Sequence, residues 1–318
     1  MQHCSKNTHF FYLAPIRGIT DALFRTIYHT HFPYFDAAVA PFINPQKYVN
    51  LKDKFIVDLL PENNSALPVV PQLLYNTIDD FINLGKRLEG LGYSHINWNL
   101  GCPAPMVANK KRGSGLLPYT DRIIELLEAV IPALQAEISI KTRLGFREPT
   151  DILALLPRLE HLPVKEITIH PRIGKQLYSG TADSNCFDAC RKLTSHTLIY
   201  NGDIITHQDY IRLSQSFDNI HRWMLGRGAL ANPFLLADIK GIQITEKERR
   251  SKLIDFHDDL YQQLRVKLNG PGHLLNRMKQ MWIYFIQSFP ENKKALKKIQ
   301  KSATEAKYNE ALNELFSR

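Results

Sequence analysis

The chain is short of cysteine, of acidic charge and of long apolar runs, and each shortage removes a class of protein. Its four cysteines (Cys4, Cys102, Cys186 and Cys190) among 318 residues are too few and too scattered for a secreted disulfide framework. Cys186 and Cys190 stand four apart, but no second ligand pair completes a zinc site, so no metal is expected. No apolar run approaches the roughly 20 residues of a membrane span, and the opening MQHCSKNTH lacks a signal-peptide core. A cytoplasmic protein without membrane contact is the expectation. The charged fraction of 22% and hydrophobic fraction of 44% exclude a disordered chain. The acid deficit leaves a net charge of +9, and residues 240–318 carry +7 of it. A basic tail on a nearly neutral body suits a polyanionic partner, nucleic acid first, or else a lysine-rich solvated surface.

Eight short β-rich runs recur at 10–15, 36–41, 68–74, 95–101, 137–145, 166–172, 197–203 and 221–228. Helix-like segments at 77–91, 121–134, 152–161 and 207–215 fall between them. Eight strands alternating with helices predict an α/β fold, a (β/α)8 TIM barrel. An open doubly wound sheet would carry a glycine-rich loop after its first strand, where Pro15-Ile16-Arg17-Gly18 stands instead. Beyond about 240 the pattern turns helical, over 246–268, 273–288, 291–300 and 303–317. The expected division is a barrel domain over 1–240 and a small C-terminal helical bundle over 241–318.

The most pointed stretch is INWNLGCP, ending at Cys102-Pro103. Ile96 and Trp98 alternate with Asn97 and Asn99, then Gly101 and Pro103 break the strand and keep Cys102 out of a helix. Cys102 is either a thiol presented at a strand end or a small buried hydrophobe. In a barrel the carboxyl ends of the strands build the active site. Those ends carry Arg17, Gln72, Asn99, Cys102, Lys141, Arg143, His170, Arg172, Asn201, Asp203 and Arg227. On the last two loops, Gly202, Gly226 and Gly228 let backbone amides approach a phosphate, with Arg227 adding a charge-assisted contact. Lys141, at the end of an apolar strand, needs an anion: Asp203 in a salt bridge, or a reduced cofactor ring. Gln72 can donate to and accept from the edge of a heterocycle. His170 suits a phosphate, a cofactor ring or a structural role.

LAPIRGITDALFR, INWNLGCP, SIKTRLG, ITIHPR, LIYNGDI and MLGRGALANP, in this order, resemble the motif series of the tRNA-dihydrouridine synthases. RMKQMWIYF (277–285) is similar to the helical domain of their bacterial C-type branch. The chain departs from the family pattern at Ile16, Arg17, Pro171 and the 109–118 loop, and Phe187 is the nearest aromatic to an expected tryptophan. The resemblance implies an FMN-dependent barrel that uses NADPH to reduce a tRNA uridine, with a weak lean to position 16. Cys102 would be the acid that protonates C5. Implied cofactor contacts are Pro15, Ile16, Arg17, Gln72, Lys141, His170, Asn201, Gly202, Asp203, Gly226 and Arg227. Asn99, Arg143 and Arg172 would serve the substrate. Arg277 with Lys279, and a track containing Lys293 and Lys297, would meet the tRNA backbone. A monomer is expected. Two other readings stay open: a flavin enzyme of free pyrimidines, which needs no basic tail, and a non-catalytic RNA-binding protein, which would be colourless.

Overall fold

A computed structural model describes residues 9–44, 56–289 and 293–317. Cys4 and Pro290 lie outside them, as do Glu291 and Asn292 of the segment expected to be helical over 291–300. The barrel contributes β1 (Phe10–Leu13), α1 (Ala22–His31), β2 (Ala37–Val39), β3 (Val69–Val70), β4 (Gln72–Leu73), α2 (Ile78–Glu89) and β5 (His95–Leu100). It continues through α3 (Pro105–Ala108), α4 (Thr120–Val130), β6 (Glu137–Gly145), α5 (Thr150–Leu159), β7 (Ile167–Ile173) and α6 (Ser184–Arg191). Next come β8 (Leu198–Tyr200), α7 (His207–Ser216), β9 (Arg222–Leu225), α8 (Arg227–Ala231) and α9 (Leu235–Ile239). From α10 (Glu246–Lys267) onward the elements are helical: α11 (Pro271–Phe285), α12 (Lys293–Lys301) and α13 (Glu305–Phe316).

All strand pairings are parallel, in the order β3-β2-β1-β9-β8-β7-β6-β5-β4. β3 and β4 are the two halves of one run, divided at Pro71, which has no N–H for a ladder. The first half bonds to β2 and the second to β5, so the ladder closes through the bend. The nine hydrogen-bonded pieces are therefore the eight strands read from the sequence.

The alternation along the strands sorts side chains into two cores. Ile96, Trp98 and Leu100 of β5 turn outward, where Trp98 meets Phe81 of α2 edge to face at 5.9 Å. Inside the barrel, Tyr12, Ala14, Ala37, Val39, Val70, Ile199 and Met224 form a separate apolar plug. That plug fills only the β1–β3 and β8–β9 side. The other side of the interior is polar, holding Gln72, Asn97, Asn99, Ser139, Thr168 and His170, all buried. A buried polar group costs free energy unless it is hydrogen-bonded, so this half must be internally paired.

It is paired by a chain of hydrogen bonds whose direction is fixed at one end. The Asn99 side-chain oxygen accepts from the Gly101 and Cys102 amides at 3.0 and 2.8 Å. Its nitrogen must then donate, and it meets Gln72 Oε1 at 2.8 Å. Gln72 Nε2 donates to Asn97 Oδ1 at 2.7 Å, and Asn97 Nδ2 to Ser139 Oγ at 2.8 Å. Ser139 Oγ lies 2.7 Å from His95 Nε2 at the far end of the barrel. The chain thus runs from the base of β5 to the loop bearing Cys102.

The last helices pack on one sector of the barrel. Phe256 of α10 sits edge-on to Phe24 and Tyr28 of α1 at 5.9 and 5.8 Å. Trp282 is fully buried and donates to Tyr308 Oη at 2.7 Å, joining α11 to α13. A large side chain buried this way contributes roughly 1.5–3 kcal/mol, and the apolar residues of the bundle are continuous with the outer core of the barrel. Among the described residues no helix is long and apolar enough to cross a membrane.

Candidate active site

Cys102 lies on the extended segment between β5 and α3, partly exposed at the barrel mouth. Asn99 fixes the entry to this segment, and Ser114 fixes the exit by donating from its N and Oγ to the Cys102 carbonyl at 3.0 and 3.1 Å. Burial pushes the Cys102 thiol up from its ordinary value, against the opposing pull of a backbone hydrogen bond and of Arg17, Arg143 and Lys141. The thiol is therefore protonated at neutral pH, with three cations nearby.

Lys141 stands opposite Asn99 across β5 and β6, and Arg143 stands opposite His170 across β6 and β7. Burial, with Arg143 alongside, brings the Lys141 ammonium down to about 7. Among the described residues nothing hydrogen-bonds or ion-pairs with Lys141. Asp203, its candidate partner in the sequence, is taken by two arginines. Arg172 grips it at 2.9 and 2.5 Å, and Arg227 Nη2 reaches it at 3.0 Å. Arg172 also donates to the Ser179 and Gly180 carbonyls and meets His170 Nε2 at 3.0 Å, so all its donors serve the protein. His170 accepts there, and burial holds its pKa well below the usual value, leaving it neutral. Burial lowers Arg143 to about 10, and its Nη1 donates to the Ile173 carbonyl at 2.9 Å.

A cavity of about 550 Å³ opens over this group. Its lining includes Pro15, Ile16, Lys141, His170, Arg172, Asn201, Gly202, Asp203, Gly226 and Arg227 from the residues read in the sequence. Asn201 is anchored by its side chain to the Met224 carbonyl at 2.7 Å, which ties the β8 loop to β9. Gly228 permits that tie, since a Cβ there would fall 2.0 Å from the Ile204 carbonyl oxygen. Arg17 is exposed, with its guanidinium 5.5 Å from the Phe42 ring. Gln72 and Asn99 do not line the cavity, because the buried chain occupies both their amide ends.

The basic residues read on the tail are divided. Arg277 donates to the Ile19 carbonyl at 2.6 Å and pairs with Asp21 at 3.2 Å. Lys279 donates to the Ser302 carbonyl. Both join parts of the fold. Lys294, Lys297 and Lys301 are exposed along α12, while Lys298 pairs with Glu314. Lys293 begins α12; its side chain is outside the described residues.

Two features escaped the sequence reading. Tyr178, 58% exposed, lies with its ring 5.3 Å from the Arg143 guanidinium and 5.0 Å from that of Arg227, so it roofs the arginine cluster. An aromatic in a Gly- and Ser-rich loop was the available signal. Ile283, Tyr284 and Gln287, from α11 and the turn after it, complete the cavity wall. Only the tertiary contact of bundle and barrel puts them there.

The residues fit a flat, anionic cofactor with a phosphate. The half-buried Lys141 side chain lines the cavity without a partner among the described residues, and the cluster of Lys141, Arg143, Arg172 and Arg227 holds one carboxylate, Asp203. The surplus cationic charge calls for an anion.

A sequence model described as dihydrouridine synthase matches residues 12–318. The chain is 31% identical over 230 residues to a probable tRNA-dihydrouridine synthase of Rhodobacter capsulatus, covering 71% of this chain and 69% of that one. It is 29% identical over 298 residues to a tRNA-dihydrouridine(16) synthase of Vibrio parahaemolyticus, covering 90% of each. Among solved structures, an old yellow enzyme homologue of Zymomonas mobilis superimposes with a TM-score of 0.55 at 10% identity, over 74% of this chain and 89% of the other. Morphinone reductase gives 0.52 at 11% identity, over 75% and 87%. At such identities these structures establish the barrel fold alone.

Proposed function

Because the chain belongs to the dihydrouridine synthase family, we propose that it reduces the C5–C6 double bond of a uridine in tRNA, with FMN as resident cofactor and NADPH as reductant. Bound FMN would supply the hydride that C6 of the uracil receives. Lys141, Asn201, Gly202, Gly226 and Arg227 would hold it, with Pro15, Ile16 and His170 around its ring. The remaining proton goes to C5 of the uracil, and Cys102 Sγ is its donor. Solvent then returns a proton to the thiolate, so each turnover consumes one hydride and one proton.

The protonated Cys102 thiol, within the electrostatic reach of Arg17, Arg143 and the cavity-lining Lys141, carries this reading. A general acid must hold its proton at working pH and release it at the reacting atom. Burial keeps the proton on Cys102, and the nearby cations stabilise the thiolate left after transfer. Arg143 would offset negative charge on the uracil carbonyl. A stacked base cannot enter such a mouth, so the uridine is flipped out, at a cost of roughly a few kcal/mol. Contacts between tRNA and the exposed lysines of α12 offset that cost. The Vibrio relative is named for position 16, which supports that position as the target here.

Cys102→Ala tests the assignment. The variant should bind FMN and oxidise NADPH as before, and its dihydrouridine yield should fall about a hundredfold or more, the usual range for a lost general acid. Undiminished dihydrouridine formation in Cys102→Ala would rule the thiol out as the acid.

A further inference from the structure

The bundle meets the barrel mouth on its β1/β9 side. Arg277 reaches the Ile19 carbonyl in the loop after β1, and Ser288 Oγ donates to the Ala231 carbonyl at 2.7 Å, just after β9. Across the mouth, the loops that follow β5, β6 and β7 converge on Phe146. Gly174 lets them close: a Cβ there would stand 2.6 Å from Ser114 Oγ and 2.8 Å from Phe146 Cδ2. The Lys175 amide donates to the Phe146 carbonyl at 3.0 Å. Since Ser114 also bonds the Cys102 carbonyl, the Phe146 loop is tied to the Cys102 loop by direct contacts.

The Phe146 ring is half-buried and flanked by two exposed cations. Lys175 Nζ is 5.3 Å and Arg147 Cζ 5.9 Å from its centroid. In the neighbouring loop, Lys111 Nζ lies 4.4 Å from the ring of Tyr119, which is 43% exposed. Among the described residues none of these three cations pairs with a carboxylate. Unpaired cations set on accessible aromatic rings match an unpaired nucleic-acid strand: ring faces stack bases and cations hold phosphates.

Resting on the tRNA reading above, we propose that Phe146, Arg147, Lys175, Lys111 and Tyr119 form a second RNA-contact surface, which stacks an unpaired nucleotide flanking the uridine delivered to Cys102. Flipping a uridine out of a loop frees the faces of its neighbours, and only an unpaired base can present a face to a ring. With the bundle on the β1/β9 side, this surface places RNA contacts on both sides of the reacting thiol.

The test uses flavin-loaded protein and tRNA lacking dihydrouridine, with affinity measured over a range of salt. Arg147→Gln combined with Lys175→Gln should lower the slope of log affinity against log salt by about 1.4, the share of two single-strand phosphate contacts. Phe146→Ala should weaken binding about fivefold or more, and Phe146→Trp should restore it. NADPH oxidation should match wild type throughout. A wild-type salt slope in the double variant overturns the proposal, whatever happens at Phe146, because both altered side chains are exposed and the substitutions leave the backbone bonds of the loop in place. A wild-type protein that fails to bind tRNA at all overturns the functional reading as well, so the two failures are distinct.

Discussion

At the scale of single residues, the site is governed by two protons whose affinities shift in opposite directions for one reason. Burial raises Cys102 and lowers Lys141, because each favours its neutral form away from water. The consequence for Lys141 is a pH dependence of cofactor binding. An anion prefers the ammonium form, so binding raises the lysine above its value of about 7 in the free protein. Below pH 7 that form is already present. Above it, each bound cofactor must bring a proton, and FMN affinity should fall by up to about tenfold per pH unit. Fluorescence titration of apoprotein with FMN between pH 6 and 9 reads this directly, and Lys141→Met should abolish the pH dependence. Equal affinity at pH 6.5 and 8.5 would contradict it. Lys141, Cys102 and the glycine-bearing loops were legible in the sequence because each is an anomaly: an amine ending an apolar strand, a thiol between Gly and Pro, glycines at two successive strand ends. Arg172 was legible as charge but not as scaffold. Its five donors are satisfied by Asp203, His170 and carbonyls 7–8 residues away in the β7 loop, and no local pattern announces that pairing.

At the scale of elements, the strands were legible through their period-2 alternation, and the helices through three-to-four spacing. The alternation left open which side of each strand faces the barrel interior. In β5 the apolar Ile96 and Trp98 face the helices, while Asn97 and Asn99 face inward and join the amide chain. That chain ends on His95, which burial, with the nearby Lys165, lowers to about 4. A neutral His95 ring can accept the Ser139 proton, whereas a protonated ring can only donate. The unfolded histidine takes up a proton near pH 6.5, whereas the folded one resists until about 4. Stability is therefore unaffected above pH 6.5 and is lost as pH falls below it, by roughly 3 kcal/mol at most. His95→Gln keeps an acceptor for Ser139 and removes the titration. Urea unfolding at pH 7 and pH 4.5 should show a smaller acid loss in His95→Gln than in wild type. An identical loss in both would place the acid sensitivity elsewhere.

At the scale of the whole molecule, barrel and bundle together build the cavity. The barrel supplies the thiol, the cavity and the Phe146 surface, and the bundle supplies Ile283 and Tyr284 to the cavity and an exposed lysine row on α12. The bundle was legible as helices and as a charge excess. That its Arg277 and Lys279 are spent on holding the fold together was not, because a basic residue reads the same whether it meets a phosphate or a carbonyl. An RNA long enough to touch both barrel and bundle would give the basic tail and the cavity a common purpose. The central claim is thus that the cavity reduces a uridine within tRNA. Purified flavin-loaded protein incubated with NADPH and tRNA lacking dihydrouridine, followed by mapping of the modified nucleotides, tests it most directly. Dihydrouridine should form at one D-loop position, in step with NADPH consumed, and Cys102→Ala should leave almost none; NADPH-dependent reduction of free pyrimidines with the tRNA left unmodified would overturn the claim.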